Sequence, residues 1–358
     1  MAKKVILEAG RTFSEFSLLT DFTSKDCNLN NINLKSNLGQ LSLGIPFLSA
    51  AMTSVTGYEM ALALGKEGGL GVLPARLSVK EQVDIINKIK GYEMGFVEDP
   101  VSVRDNATID EAVRLVEKHG HSKIPVTDRN NVFLGLFNFD KYLESNQTPA
   151  ENILSIMTSV EELPHTKNSE ISVKQAKKEL EENNYLIVLD DLGRLVKIAF
   201  KKDVENIVVG AAISTHKGWK KRVKACDEAG ADIFVIDTSD AYNEFTSKVL
   251  KDYAKMKLGK PICAGNVITY EGAKFLMNSG ADVIKVGMSS GSICTTQREK
   301  ATGRAPMTAL MEVERARADY LKESGKYVSI VIDGGVSDAG SMIIALSIAD
   351  AVMMGGYF

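Results

Sequence analysis

"SGADVIKVG", residues 279–287, decides the fold. The stretch follows a helical pattern and leads into an apolar strand. The same join returns as "AGADIFVID" at 229–237 and "SIADAVMMG" at 347–355, with a related one, "EGGLGVL", at 67–73. Apolar strands alternating with amphipathic helices define a parallel sheet built from βα units. Strands are expected near 46–50, 70–74, 207–213, 233–238, 261–267, 283–288, 329–333 and 351–355. Eight of them point to an α/β chain closed as a (β/α)8 TIM barrel. The alternative is a doubly wound open sheet, and the absence of a G-x-G-x-x-G turn after any strand weakens it.

The rhythm breaks between about 94 and 205, where a different repeat appears. "ATIDEAVRLVEKHGHSKIPVTDRNNVFLGLFNFDKY" (107–142) parallels "SEISVKQAKKELEENNYLIVLDDLGRLVKIAFKKDV" (169–204). Ala112 aligns with Ala176, Asp128 with Asp190 and Leu134 with Val196. Each unit reads as helix, strand, turn, strand, helix. The expected organisation is therefore a discontinuous barrel, 1–93 and 206–358, interrupted by a paired module at 94–205.

The chain has 358 residues, 25% of them charged, with a net charge of −3 and a pI near 6.0. Nothing in that balance suggests a polyanion-binding surface. No run approaches the roughly 18 apolar residues of a membrane span, and the first residues lack the pattern of a signal peptide. The cysteines, Cys27, Cys226, Cys263 and Cys294, show no C-x-x-C spacing, so neither a zinc site nor a disulfide framework is indicated. A reducing cytosol, hence a cytoplasmic protein, is the natural expectation. Cys226 shares a helix face with Trp219 and Val223, and Cys263 lies in the apolar run "PICAGNV". Both read as small buried hydrophobes.

Barrel active sites sit at the carboxyl ends of the strands. The first strand ends in Ser49, Ala50, Ala51 and Met52; the fourth in Asp237, Thr238 and Ser239; the fifth in Asn266. The seventh ends in Asp333, Gly334 and Gly335, and the eighth in Gly355 and Gly356. Glycines after strands seven and eight can simply serve turns, but both pairs together with Ser292 favour a phosphate site on bare backbone N–H groups. Asp333 is then placed to accept ribose hydroxyls. Lys285, on the sixth strand, is costly to bury unpaired. It is either a Schiff-base nucleophile, as in an aldolase, or, the favoured reading, paired with a carboxylate inside the barrel. The sixth strand also leads into "GSICTTQ" (291–297), where a Gly/Ser-rich loop presents Cys294 as a nucleophile. The hydroxyls of Thr295 and Thr296 stand beside it.

These residues together resemble the IMP dehydrogenase family. The resemblance is carried by "GSICTTQ" and, in order, by "PFLSAAMTSVT" (46–56), "EGGLGVL" (67–73), "IDTS" (236–239), "AGNV" (264–267), "VIDGGV" (331–336) and "AVMMGG" (351–356). It implies that Cys294 attacks C2 of the IMP base, with hydride passing to NAD+ and the resulting thioimidate hydrolysed to XMP, and that Thr296 lies near the attacked carbon. Ala50, Met52, Ser292, Asp333, Gly334, Gly335, Gly355 and Gly356 would hold the nucleotide. Asp237, Thr238, Ser239 and Asn266 would face the nicotinamide riboside. Carbonyls of Ser289, Gly291 and Cys294 would hold a potassium ion. The inserted repeat resembles a pair of CBS modules, implying ATP or GTP as a further ligand, and the family's barrels imply a homotetramer.

Departures from the family are Ser289 and Ala241, where the family has glycine, and the end at Phe358. The family pattern continues past that point through an eighth helix and a flap that carries the water-activating residues. The chain is thus expected to be an enzyme lacking that helix and flap. The alternatives are GMP reductase, with the same thiol chemistry run reductively, and a non-catalytic protein whose CBS pair senses adenine nucleotides.

Overall fold

A computed structural model describes residues 9–24, 27, 31–92, 96–119, 122–200, 207–288, 291 and 299–358. The chain divides into two compact units, Met1–Tyr92 with Ile207–Phe358, and Glu93–Asn206.

The first unit is a closed barrel of eight parallel strands: β1 (Phe47–Ser49), β2 (Leu70–Leu73), β3 (Val209–Ile213), β4 (Ile233–Asp237), β5 (Ile262–Val267), β6 (Val283–Val286), β7 (Ser329–Asp333) and β8 (Ala351–Met354). Each pairs with the next in sequence, and β8 returns to β1. Every residue of β2, β3, β6 and β8 is buried, as expected where helices cover a sheet from outside. The interior is filled by Leu48, Val72, Val235, Cys263, Val283, Val331 and Met353, among others. A hairpin of Ser36–Leu38 and Leu41–Leu43 adds Leu38 and Leu43 to the same core. Its turn residue Gly39 has φ +61° and donates its N–H to Ser329 Oγ at 3.1 Å.

Seven described helices flank these strands: α1 (Tyr58–Lys66), α2 (Val79–Lys90), α3 (Trp219–Glu228), α4 (Glu244–Ala254), α5 (Tyr270–Asn278), α6 (Pro306–Ser324) and α7 (Ala339–Leu346). Ser78 and Glu81 form a reciprocal capping box at the start of α2, satisfying two backbone donors that a helix end leaves unpaired. Asn243, Thr269 and Asp338 accept N–H groups at the starts of α4, α5 and α7.

The recurring sequence join now has a physical meaning. Its aspartate precedes a strand and binds the start of the previous one. Asp232 Oδ2 accepts the Val209 N–H at 2.8 Å, Asp282 Oδ2 that of Ile262 at 3.1 Å, and Asp350 Oδ2 that of Ile330 at 2.7 Å. Each carboxylate also takes a cation: Lys90 at 2.6 Å, Lys326 at 2.9 Å and Arg317 at 2.7 Å respectively. Three joins thus repeat one device for setting neighbouring strands in register.

The second unit contains two four-stranded sheets. One has Lys123–Thr127 and Phe133–Asn138 at its centre, the other Tyr185–Leu189 and Leu195–Phe200. The two central turns are built alike. Asp128 Oδ1 accepts the N–H groups of Asn130 and Val132, and Asp190 Oδ1 those of Leu192 and Arg194. The turns also pair with each other, Phe133 N–H to Gly193 O at 2.9 Å and Leu195 N–H to Asn131 O at 3.0 Å. Phe133, Leu136, Ile187, Leu189, Leu195 and Ile198 form one core shared by both repeats. Among the described residues no helix is long and apolar enough to cross a membrane.

Candidate active site

A cavity of about 790 Å³ opens at the carboxyl ends of the barrel strands, within the roughly 300–1,000 Å³ range of small-molecule sites. Its lining includes Ala50 and Met52 after β1, Asp237 at the end of β4, Asn266 on β5 and Asp333, Gly334 and Gly335 after β7. Gly355 and Gly356 after β8 complete it. Residues that the sequence places on five separate strand ends are therefore brought to one mouth.

At its floor lies Lys285, with a side chain 2% exposed. Its ammonium donates to Asp237 Oδ1 at 2.9 Å, to Asp333 Oδ2 at 2.6 Å and to Asn266 Oδ1. Burial opposes the charged form, but the carboxylates of Asp333 and Asp237 outweigh it and hold the ammonium above its ordinary value. The lysine is thus charged and paired, as favoured from sequence, and a neutral amine for Schiff-base chemistry is excluded.

The Asn266 side chain makes three contacts within the site. Its Oδ1 takes Lys285, and its Nδ2 donates to Gly287 O at 2.6 Å and Asp333 Oδ2 at 3.0 Å. It orients these neighbours and also lines the cavity. Thr238 and Ser239 do not line the cavity. The Thr238 hydroxyl donates to Gly265 O at 3.2 Å, and Ser239 Oγ accepts from Lys300 at 3.1 Å.

The glycines separate into two kinds. Gly334 and Gly335 have φ +82° and +79°, a conformation open chiefly to glycine, and the Gly334 N–H is given to Met353 O at 3.2 Å. Gly355 and Gly356 have no such φ, and no described atom lies within 3.4 Å of where their Cβ atoms would be. Among the described residues neither strain nor crowding requires glycine there.

Ser289, Ser292, Cys294 and Thr296 lie outside the described residues. Gly291, the one described residue between Ser289 and Thr296, lines the cavity. The potassium expectation therefore retains one described member of its three, and no His, Cys, Asp and Glu cluster among the described residues could hold a metal ion. The two buried cysteines behave as the sequence implies. Desolvation pushes the thiol of Cys226 up to about 11 and that of Cys263 up to about 12. At pH 8 neither supplies much thiolate, so alkylation of the folded protein should leave both unmodified by peptide mass mapping. Rapid modification of Cys263 would show that the barrel interior opens. Sequence reasoning missed Met288, Val336, Ser337 and Tyr357 in the lining; their only sequence signal is proximity to the strand ends already named.

Fold and site together define a (β/α)8 barrel with a charged cleft at the strand carboxyl ends. The family described as "IMP dehydrogenase / GMP reductase domain" matches residues 10–358. The chain is 32% identical to an inosine-5'-monophosphate dehydrogenase of Tritrichomonas foetus, over 98% of this chain and 75% of that one. It is 31% identical to that of Aquifex aeolicus, over 98% and 73%. A GMP reductase structure from Trypanosoma brucei shares the fold, with a TM-score of 0.64 at 23% identity over 98% of this chain and 81% of that one. The chain belongs to the IMP dehydrogenase/GMP reductase family and is an oxidoreductase.

Proposed function

We propose that the chain oxidises IMP to XMP with NAD+, using Cys294 as nucleophile. The observation that carries this reading is the Asp333–Lys285–Asp237 floor beneath a cavity edged by unstrained glycines. Asp333 accepts the ribose hydroxyls, while the amides of Gly335, Gly355 and Gly356, with Ser292, hold the phosphate. Cys294 adds to C2 of the base beside Thr296, and the C2 hydride leaves. NAD+, held on the Asp237 side, supplies the hydride acceptor. Water then adds at C2 and the sulfur departs, which frees XMP and restores the thiol. A potassium ion on the carbonyls of Ser289, Gly291 and Cys294 completes the site. The sequence relatives, named as IMP dehydrogenases at 31–32% identity, favour this direction over GMP reduction.

Mixing the protein with IMP and NAD+ should produce NADH, and GMP with NADPH should produce no oxidised cofactor. A thiol-reactive nucleotide analogue should label the peptide containing Cys294, and IMP should prevent it. NADPH oxidation by GMP would reassign the chain as a reductase. Labelling elsewhere, unaffected by IMP, would remove Cys294 from the mechanism.

We also propose that Glu93–Asn206 is a CBS pair that binds ATP or GTP. Its two like-built turns and shared core support that reading. Deleting 94–205 behind a short linker should leave IMP affinity unchanged and abolish ATP and GTP binding, both read by calorimetry. Loss of IMP binding would make the module structural.

A further inference from the structure

Lys285 has a role that the proposed chemistry leaves unassigned. An ammonium has three N–H donors, and here each has its own acceptor, from β4, β5 and β7. The side chain reaches these strand ends through an interior otherwise filled by Val235, Cys263, Val283, Val331 and Met353. An apolar residue would fill the same space without the cost of burying a charge. Barrel closure therefore gives no reason for lysine at this position.

The acceptors do give one. Asp237 and Asp333 each place an oxygen within hydrogen-bond distance of one nitrogen, hence within about 6 Å of each other. Like charges held that close repel, and the ammonium between them offsets the repulsion. We propose that Lys285 is a positioning residue that ties the Asp333 and Asp237 side chains to one nitrogen, so that the nucleotide side and the cofactor side of the cleft are set together. This rests on the assignment of Asp333 to the nucleotide and Asp237 to NAD+ made above. The remaining titratable group facing the cluster among the described residues is Cys263 on β5, whose thiol burial keeps neutral over the working range.

The test compares wild type with Lys285→Met, Lys285→Arg and the double variant Lys285→Met/Asp237→Asn. In the unliganded proteins, infrared difference spectra between pH 5 and 9 should show one more carboxyl taking up a proton in K285M than in wild type. That signal should be missing in wild type and K285R, and it should vanish again in the double variant, where a single carboxylate remains. Calorimetry should show K285M losing about 10- to 100-fold in IMP affinity at pH 6.5, relative to wild type at the same pH. Part of that loss should be recovered at pH 9, and K285R should restore most of it. Equal IMP affinity in K285M and wild type at every pH would overturn the proposal, as would a loss in K285R as large as in K285M. Should K285M not fold, K285R decides against wild type: IMP affinity within a few-fold supports the proposal, and a loss of about tenfold or more at pH 6.5 overturns it. Should wild type bind no IMP, the functional reading fails separately, and the infrared comparison still decides the role of Lys285.

Discussion

Asp333→Ala is expected to lower IMP affinity by a hundredfold or more and to destabilise the barrel by about 2–3 kcal/mol. The affinity loss follows if, as proposed, Asp333 accepts two ribose hydroxyls, because charge-assisted hydrogen bonds are worth about 1.5–3 kcal/mol each. The stability loss has a different origin. Asp333 Oδ2 takes Lys285 at 2.6 Å and Asn266 at 3.0 Å, and the lysine side chain is 2% exposed. Removing one partner of a buried pair typically costs about 3–5 kcal/mol. Asp237 and Asn266 remain on the ammonium, and the Asp333 side chain is 23% exposed, so the cost falls at or just below the bottom of that range. Because the carboxylates hold the Lys285 ammonium above its ordinary value, its share of stability is complete below about pH 10 and fades as pH rises beyond that. The difference between wild type and variant in urea midpoints should thus be constant from pH 7 to 9. Asp333→Asn keeps the volume and loses the charge, and it should reproduce most of the affinity loss. Unchanged IMP binding in D333A would take the ribose contact away from this residue.

The barrel was legible because its signal is local. A buried strand and the join before it fit within nine residues, and three copies of the join repeat the same aspartate. The strand ends could be read for the same reason, and they gave Asp237, Asn266, Asp333 and the glycines. The pairing of Lys285 was legible only in kind. Its two carboxylates each lie 48 residues away, and their meeting depends on the register of β4, β6 and β7, which barrel closure sets. The same limit hid the commitment of Asn266 to its neighbours and of the Gly334 amide to Met353, both of which are cross-strand facts. Thr238 and Ser239 adjoin Asp237 in sequence yet lie off the cavity, since adjacency along a chain leaving a strand says little about direction.

Gly265→Ala should destabilise the protein by about 3 kcal/mol, the upper end of what overpacking costs, and should carry the cleft with it. Gly265 lies on β5 between Asp237 of β4 and Lys285 of β6 in register. A methyl group there would meet Lys285 Cβ and, at 2.6 Å, the Lys285 carbonyl oxygen. Backbone cannot swing aside as a side-chain end does, so β5 and β6 must part. The Gly265 carbonyl also accepts the N–H and hydroxyl of Thr238 at 3.0 and 3.2 Å, which ties the end of β4 to the displacement. Moving Lys285 separates it from Asp333, so IMP affinity should fall together with the urea midpoint. Gly356→Ala provides the contrast. Its Cβ meets no described atom within 4 Å, so stability should change by less than about 0.5 kcal/mol, as at most surface positions. A methyl beside the amides proposed to hold the phosphate should nevertheless weaken IMP binding. If G265A melted within 1 kcal/mol of wild type by the usual criterion for a tolerated substitution, the strand spacing at this mouth would be adjustable. The close approach of β5 to β6 would then not be what seats Lys285 between its two carboxylates.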